Sequence, residues 1–169
     1  MTKELMTLVD ENDNIVGYKE RGTLEHGKDI YRISALRLEN SKGEVLIAQR
    51  SFKKKNQPGI RGPAVSGTVN DKENYEQNIK RETKEEIGLE LKNYKIGIKE
   101  FVHATKNNNR KYFRQRFIAK SDKATEEFIL QEGEVEAVKR ISKENLKKEI
   151  QEYPEKFTTT ANEYIKLFC

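Results

Sequence analysis

Apolar residues along this chain fall into short alternating runs separated by turn chemistry, the period of two that strands produce. Leu5 to Asp10 and Ile15 to Lys19 flank Glu11-Asn12-Asp13-Asn14, which predicts a small N-terminal hairpin. Tyr31 to Leu38 alternates apolar and polar positions, Ser41-Lys42-Gly43 turns the chain, and Val45-Leu46-Ile47-Ala48 reads as a buried strand. Pro58-Gly59 and Gly62-Pro63 then punctuate a loop. Further on, Tyr94 to Thr105 and Lys111 to Ala119 read as two strands joined by the polar Lys106-Asn107-Asn108-Asn109-Arg110, and Glu134 to Ile141 as another.

The period changes between Asn74 and Ile87. Tyr75, Ile79, Thr83 and Ile87 recur at helical spacing and form one core-facing stripe. Asn74 is placed to cap this helix, Gln77 three residues on completes a capping box, and Gly88 is a natural stop. Ser142 opens a shorter helix through about Gln151, and Pro154 breaks it. A second helix is expected to run to Phe168 with Thr158 or Thr159 as its cap. Strands around one central helix, with helices late in the chain, predict a mixed α/β sandwich.

Composition sharpens this picture. With 169 residues the chain fits one domain. Charged residues reach 36% and mean hydropathy is −0.93, so disorder is the first alternative. Leu, Ile, Val and Phe nevertheless supply 40 residues, more than the roughly 20% share below which chains stay disordered. No apolar run approaches the ~18 residues of a membrane span, and Met1-Thr2-Lys3-Glu4 does not open a secretory signal. Cys169, the single cysteine, excludes internal disulfides and multi-cysteine zinc sites, which fits the cytoplasm. The net charge of +5 favours anionic partners weakly, because 33 basic residues stand beside 28 acidic ones. Arg50-Ser51-Phe52-Lys53-Lys54-Lys55 is the one local basic excess.

Candidate chemistry concentrates on the central helix. Glu82, Glu85 and Glu86 stand at i, i+3 and i+4 and share one face, away from the apolar stripe. Three like charges there repel unless neutralised. Arg81 and Lys84 are at hand for part of this, and a hard divalent cation is a better match for carboxylate oxygens. By geometry alone the face is either an ordinary solvated surface or a metal site.

The surrounding residues separate those readings. Gly67 to Leu89 reads GTVNDKENYEQNIKRETKEEIGL. It resembles the Nudix hydrolase signature G-x5-E-x7-R-E-U-x-E-E-x-G-U, where U is a bulky aliphatic. Gly67, Glu73, Arg81, Glu82, Glu85, Glu86, Gly88 and Leu89 fall in register, and Thr83 departs from the aliphatic. The resemblance implies an α+β Nudix fold, a mixed β-sheet in an α/β/α sandwich with an N-terminal β-hairpin and C-terminal helices, over residues 1–169. It also implies hydrolysis of a phosphoanhydride in a small-molecule diphosphate, nucleoside-linked or related, with Mg²⁺ or Mn²⁺ held by Glu82, Glu85, Glu86 and the Gly67 carbonyl. Glu82 is then the first candidate base, Arg81 orients a glutamate, and Glu73 supports the loop or simply favours the helix dipole. Family members often form homodimers; nucleic acid and membrane are not expected partners.

Beyond the signature, LVDENDNIVGYKERG, the Arg50, Lys54 and Pro58-Gly59 spacing and the late helices resemble the branch holding type I isopentenyl diphosphate isomerases. Those enzymes use a cysteine just before the signature glycine, where this chain has Ser66, a far poorer proton-transfer group. His26 matches one isomerase histidine. Tyr31 and Thr68 stand where others are expected, and Tyr112-Phe113-Arg114 replaces a glutamate-bearing strand. The contrast favours hydrolysis over isomerisation, and over a nucleotide- or RNA-binding module that has lost catalysis.

Arg50 and Lys54 are candidates to grip a diphosphate, against the alternative of a solvated basic loop. His26 and His103 read as structural or catalytic. Arg114 and Arg116 share a strand face that lines an anion pocket or meets solvent. Glu132, Glu134 and Glu136 lie where some relatives carry one more catalytic carboxylate, and the sequence does not choose among them.

Overall fold

The computed structural model describes residues 3–105 and 109–158. Strands β1 (Leu5–Val9) and β2 (Ile15–Glu20) form the expected hairpin, in register from Leu5 opposite Glu20 to Leu8 opposite Gly17, with a one-residue shift before Val9 opposite Ile15. Asp10 organises its turn by accepting from the backbone N–H groups of Asn12 and Asn14 at 2.8 and 2.9 Å. Strands β3 (Ile30–Glu39) and β4 (Glu44–Arg50) follow, and then β5 (Arg61–Pro63) and β6 (Val65–Thr68). The remaining strands are β7 (Tyr94–Ala104), β8 (Arg110–Lys120) and β9 (Val135–Ser142).

All nine belong to one mixed sheet with β3 as its hub. Along its whole length β3 runs parallel to β8, from Ile30 beside Lys111 to Glu39 beside Lys120. It also pairs antiparallel with β1 and β6, while β4 pairs antiparallel with β5 and β9. Strand β5 corrects the expectation that Gly62-Pro63 lies in a loop. Pro63 is tolerated because β5 lies at the end of the β4 arm, where a missing N–H costs no ladder bond.

Both faces of the sheet are covered. Leu36, Leu38 and Leu46 point to one face and pack with Ile79 and Ile87 of helix α1 (Tyr75–Ile87) and with Phe117. Ala35, Val45 and Ile47 point to the other and meet Leu146 and Ile150 of helix α2 (Lys143–Glu152) and Phe157. This alternation along β3 and β4 makes the α/β/α sandwich. Burying Ile79 and Ile87 contributes about 1.5–3 kcal/mol each.

Helix α1 starts and stops where its sequence says. The Asn74 side chain accepts from Gln77 N–H at 2.9 Å, and the Gln77 side chain accepts from Asn74 N–H at 2.9 Å. Gly88 ends it in the left-handed region at φ 66°, with its N–H on the Lys84 carbonyl. A side chain there is barred twice, since a Cβ at Gly88 would lie 2.8 Å from Ile129 Cβ. Thr83, in place of an aliphatic, is fully buried and satisfies its hydroxyl on the Ile79 carbonyl. Ser142 caps α2 through Asn145 N–H. A 3₁₀ turn follows at Pro154–Lys156. The remainder of the expected second helix, to Phe168, lies outside the described residues. Among the described residues no helix is long and apolar enough to cross a membrane.

Candidate active site

The β6-to-α1 connection gathers three carboxylates around a single guanidinium. Arg81 Nε and Nη2 donate to Glu73 Oε2 and Oε1 at 3.0 and 2.9 Å. The same Nη2 reaches Glu82 Oε1 at 2.9 Å, and Nη1 reaches Glu85 Oε2 at 2.9 Å. Lys84 takes no part, lying 3.8 Å from Glu90 instead. Glu73 also accepts from Asn70 N–H at 3.0 Å and from Asn78 Nδ2 at 2.7 Å, which pins the loop to the helix. Asn78 is fully buried, and its amide ties α1 to the Thr68 carbonyl of β6 at 2.9 Å.

Electrostatics divides these acids. Burial works to raise the Glu73 carboxyl, but hydrogen bonds from Arg81, Asn70 and Asn78 outweigh it and hold its pKa below the ordinary value. Burial raises Glu82, with Arg81 opposing. Glu86 goes furthest. Burial, and then the charges of Glu82 and Glu134, push its pKa up to about 8. No hydrogen bond or ion pair holds the Glu86 carboxylate among the described residues.

Gly67 brings the strand against this acidic face. A Cβ there would lie 2.4 Å from Glu82 Cγ and 2.6 Å from Glu82 Oε1, so the glutamate occupies the volume that any other residue would fill. The sequence had placed the carboxylates on a face clear of the core. The structure lays β6 over that face and half-buries Glu82 and Glu86.

A cleft of about 790 Å³ opens beside these groups. Ser66, Gly67 and Glu86 line one part of it, and Arg50 and Glu134 reach it from the end of β4 and the loop before β9. Arg50 Nε and Nη2 donate to the Asn56 carbonyl at 3.2 and 3.1 Å, which shapes the basic loop around it. Its burial lowers its pKa, so this is a desolvated cation, with Glu134 and Glu86 as its nearest counter-charges. Lys54 does not wall the cleft; its ammonium is held by Glu134 at the rim. Of the three late glutamates Glu134 alone faces the cleft, while Glu132 pairs with Lys53 at the surface and Glu136 is exposed.

Arg21, just past β2, is a site residue that the sequence reading missed. It donates to Thr68 Oγ1 at 3.4 Å, and its charge is felt at both Glu82 and Arg50. No local signal marks it, because only the β1–β2 hairpin's docking beside β6 brings it there. His26 is exposed and lines no part of the cleft, whereas His103 does, with Nε2 2.5 Å from Asn109 Oδ1. Of the two strand arginines Arg114 lines the cleft and Arg116 is buried, and both close on Glu100 rather than on solvent.

The donor set fits a hard divalent cation. Glu86 is a buried carboxyl near two other carboxylates with no ion pair among the described residues, and Gly67 lets β6 approach Glu82 closely. Among the described residues no three such groups already converge on one point, because Arg81 holds Glu82 and Glu85. Loading a cation therefore requires those side chains to turn from Arg81.

A family model described as NUDIX domain matches residues 30–161. A prenyl-diphosphate phosphatase of Methanosarcina mazei is 39% identical over 87 residues, which is 52% of this chain and 51% of that protein. An isopentenyl-diphosphate Delta-isomerase of Kocuria rhizophila is 25% identical over 103 residues, 60% of this chain and 57% of that protein. The chain spans about half the length of the curated relatives it matches. Among solved structures, the Deinococcus radiodurans protein DR0079 superposes with a TM-score of 0.81 at 23% identity, covering 98% of this chain and 99% of its own. That likeness establishes the fold.

Proposed function

The chain belongs to the Nudix family, and from that premise we propose that it is a Mg²⁺- or Mn²⁺-dependent hydrolase of a small-molecule diphosphate, with water as nucleophile. The observation that carries this reading is the buried Glu86, unpaired among the described residues, beside Glu82 on a helix whose Arg81 is tied to Glu73 of the preceding loop.

Glu82, Glu85, Glu86 and the Gly67 carbonyl are the cation ligands. A bound divalent ion supplies phosphoryl polarisation and an acidified water. Glu82 accepts the proton of the attacking water once it has turned from Arg81, and Arg81, held by Glu73, orients the glutamates before the cation is loaded. Glu73 acts through Arg81, as the anchor of the β6–α1 loop. Arg50 grips the diphosphate bidentately, Lys54 adds a point charge once it leaves Glu134, and Arg21 lends a third cation from the hairpin. Glu134 is the further carboxylate within the cleft that is placed to exchange a proton.

Isomerisation is the weaker reading. Ser66 lines the cleft but its side chain makes no hydrogen bond among the described residues, so no described base assists its hydroxyl in taking a proton from carbon. Prenyl diphosphates still belong in a substrate panel, given the Methanosarcina mazei relative's name.

The test is incubation of the full chain with nucleoside, dinucleoside, sugar-nucleotide and prenyl diphosphates, with products identified by mass. Cleavage between phosphates is expected with Mg²⁺ or Mn²⁺ and is abolished by EDTA. No metal-dependent cleavage across the panel contradicts the proposal.

A further inference from the structure

The cleft wall built by β3 and β8 carries a cation that no carboxylate matches. Arg110 opens β8 near Tyr31, close enough for its charge to bear on the phenol, and both line the cleft. Its Nε is buried without an acceptor, and no ion pair holds it among the described residues. The contrast on the same strand is sharp, since Arg114 and Arg116 share Glu100. Leaving a guanidinium N–H desolvated and unpaired is costly, and the cost disappears when a ligand supplies an acceptor.

Placement says which part of a ligand arrives there. Gly67 is level with Ser34 on β3, and Tyr31 is level with Tyr112 on β8. By that register Arg110 lies five residues up the parallel pair from Gly67, roughly 15 Å along the strands. A ligand that extends along this wall from the acidic helix reaches Arg110 with the group esterified to its diphosphate. Tyr31 and Tyr112 lie between, ring against ring at 5.5 Å and 38°, and both line the cleft.

Resting on the hydrolase reading above, we propose that Arg110, together with the neighbouring Tyr31, is the specificity determinant for the group esterified to the diphosphate. It selects a polar, acceptor-bearing group such as a nucleoside and rejects a prenyl chain. A nucleoside offers oxygens to the unsatisfied guanidinium and a ring or sugar face to the tyrosines. A hydrocarbon chain offers neither, and would seal the charge away from water with its N–H still unmatched.

ADP, UDP and geranyl diphosphate share the terminal diphosphate and differ in the esterified group, so they isolate this effect. Turnover with Mg²⁺ and binding by calorimetry are measured on the full chain and on Arg110→Met and Arg110→Lys. The wild type is expected to favour a nucleoside diphosphate, in kcat/KM and Kd, by roughly tenfold or more. Arg110→Met removes most of that preference through KM, leaves geranyl diphosphate unchanged or better, and Arg110→Lys keeps part of it. An unchanged ratio in folded Arg110→Met, or in Arg110→Lys should the methionine variant not fold, overturns the proposal, as does a wild-type preference for geranyl diphosphate. If nothing is cleaved the hydrolase reading fails, and the binding ratios still decide the role of Arg110.

Discussion

Glu82→Gln lowers turnover by about 10³-fold or more, while circular dichroism and thermal unfolding stay close to the parent chain. The two halves of this expectation have separate causes. Catalysis loses a cation ligand and the group that takes the proton from water. Stability loses little, because the pKa of Glu82 is already raised by burial, so a neutral amide suits the site. Arg81 keeps Glu73 and Glu85 as partners in the variant, so its charge is not stranded. Full activity in Glu82→Gln would reject the assignment of this helix as the reaction centre.

Gly67→Ala is expected to cost nearly as much activity through one added methyl group. The new Cβ would lie 2.4 to 2.6 Å from Glu82 Cγ, Cδ and Oε1, distances that cannot be held. Gly67 is bound into β6, opposite Ser34 of β3, so the glutamate moves rather than the strand. Because a side chain gives way, stability falls by only about 1–3 kcal/mol, whereas activity falls by about 100-fold with the carboxylate displaced. The mechanism is checked by combining the substitutions. In a Glu82→Gln background, Gly67→Ala adds no comparable further loss of activity, because the two act on one group. Independent, additive losses would mean that Gly67 serves something other than Glu82.

Local chemistry made part of this legible in the sequence. Helix α1 was readable end to end, since the Asn74–Gln77 box, the Ile79–Thr83–Ile87 stripe and Gly88 all lie within one segment. The tie between Glu73 and Arg81 belongs to that segment too, at eight residues' separation. The N-terminal hairpin and the β7–β8 pair followed from alternation and turn residues. What alternation does not encode is which strands become neighbours. The parallel β3–β8 pair joins residues about 80 positions apart, and only that pairing puts Arg110 beside Tyr31. Arg21 and Glu134 likewise reach the site through docking of the hairpin and of the loop before β9. A helical wheel shows the carboxylates leaving the apolar stripe, but not that Gly67 lies over them. The short β5 was masked by Gly62 and Pro63, which weaken a strand pattern yet suit an edge.

Manganese titration of the full chain near pH 7, followed by calorimetry in buffers of different ionisation heat, bears most directly on the acidic helix. Glu86, with its pKa pushed up to about 8, is mostly protonated there, and a cation must displace that proton to use the carboxylate. Saturable binding with net proton release is therefore predicted, with affinity rising toward pH 8 and levelling above it, and with the proton release lost in Glu86→Gln. Absence of binding, or binding that releases no proton and is indifferent to Glu86→Gln, would contradict the account.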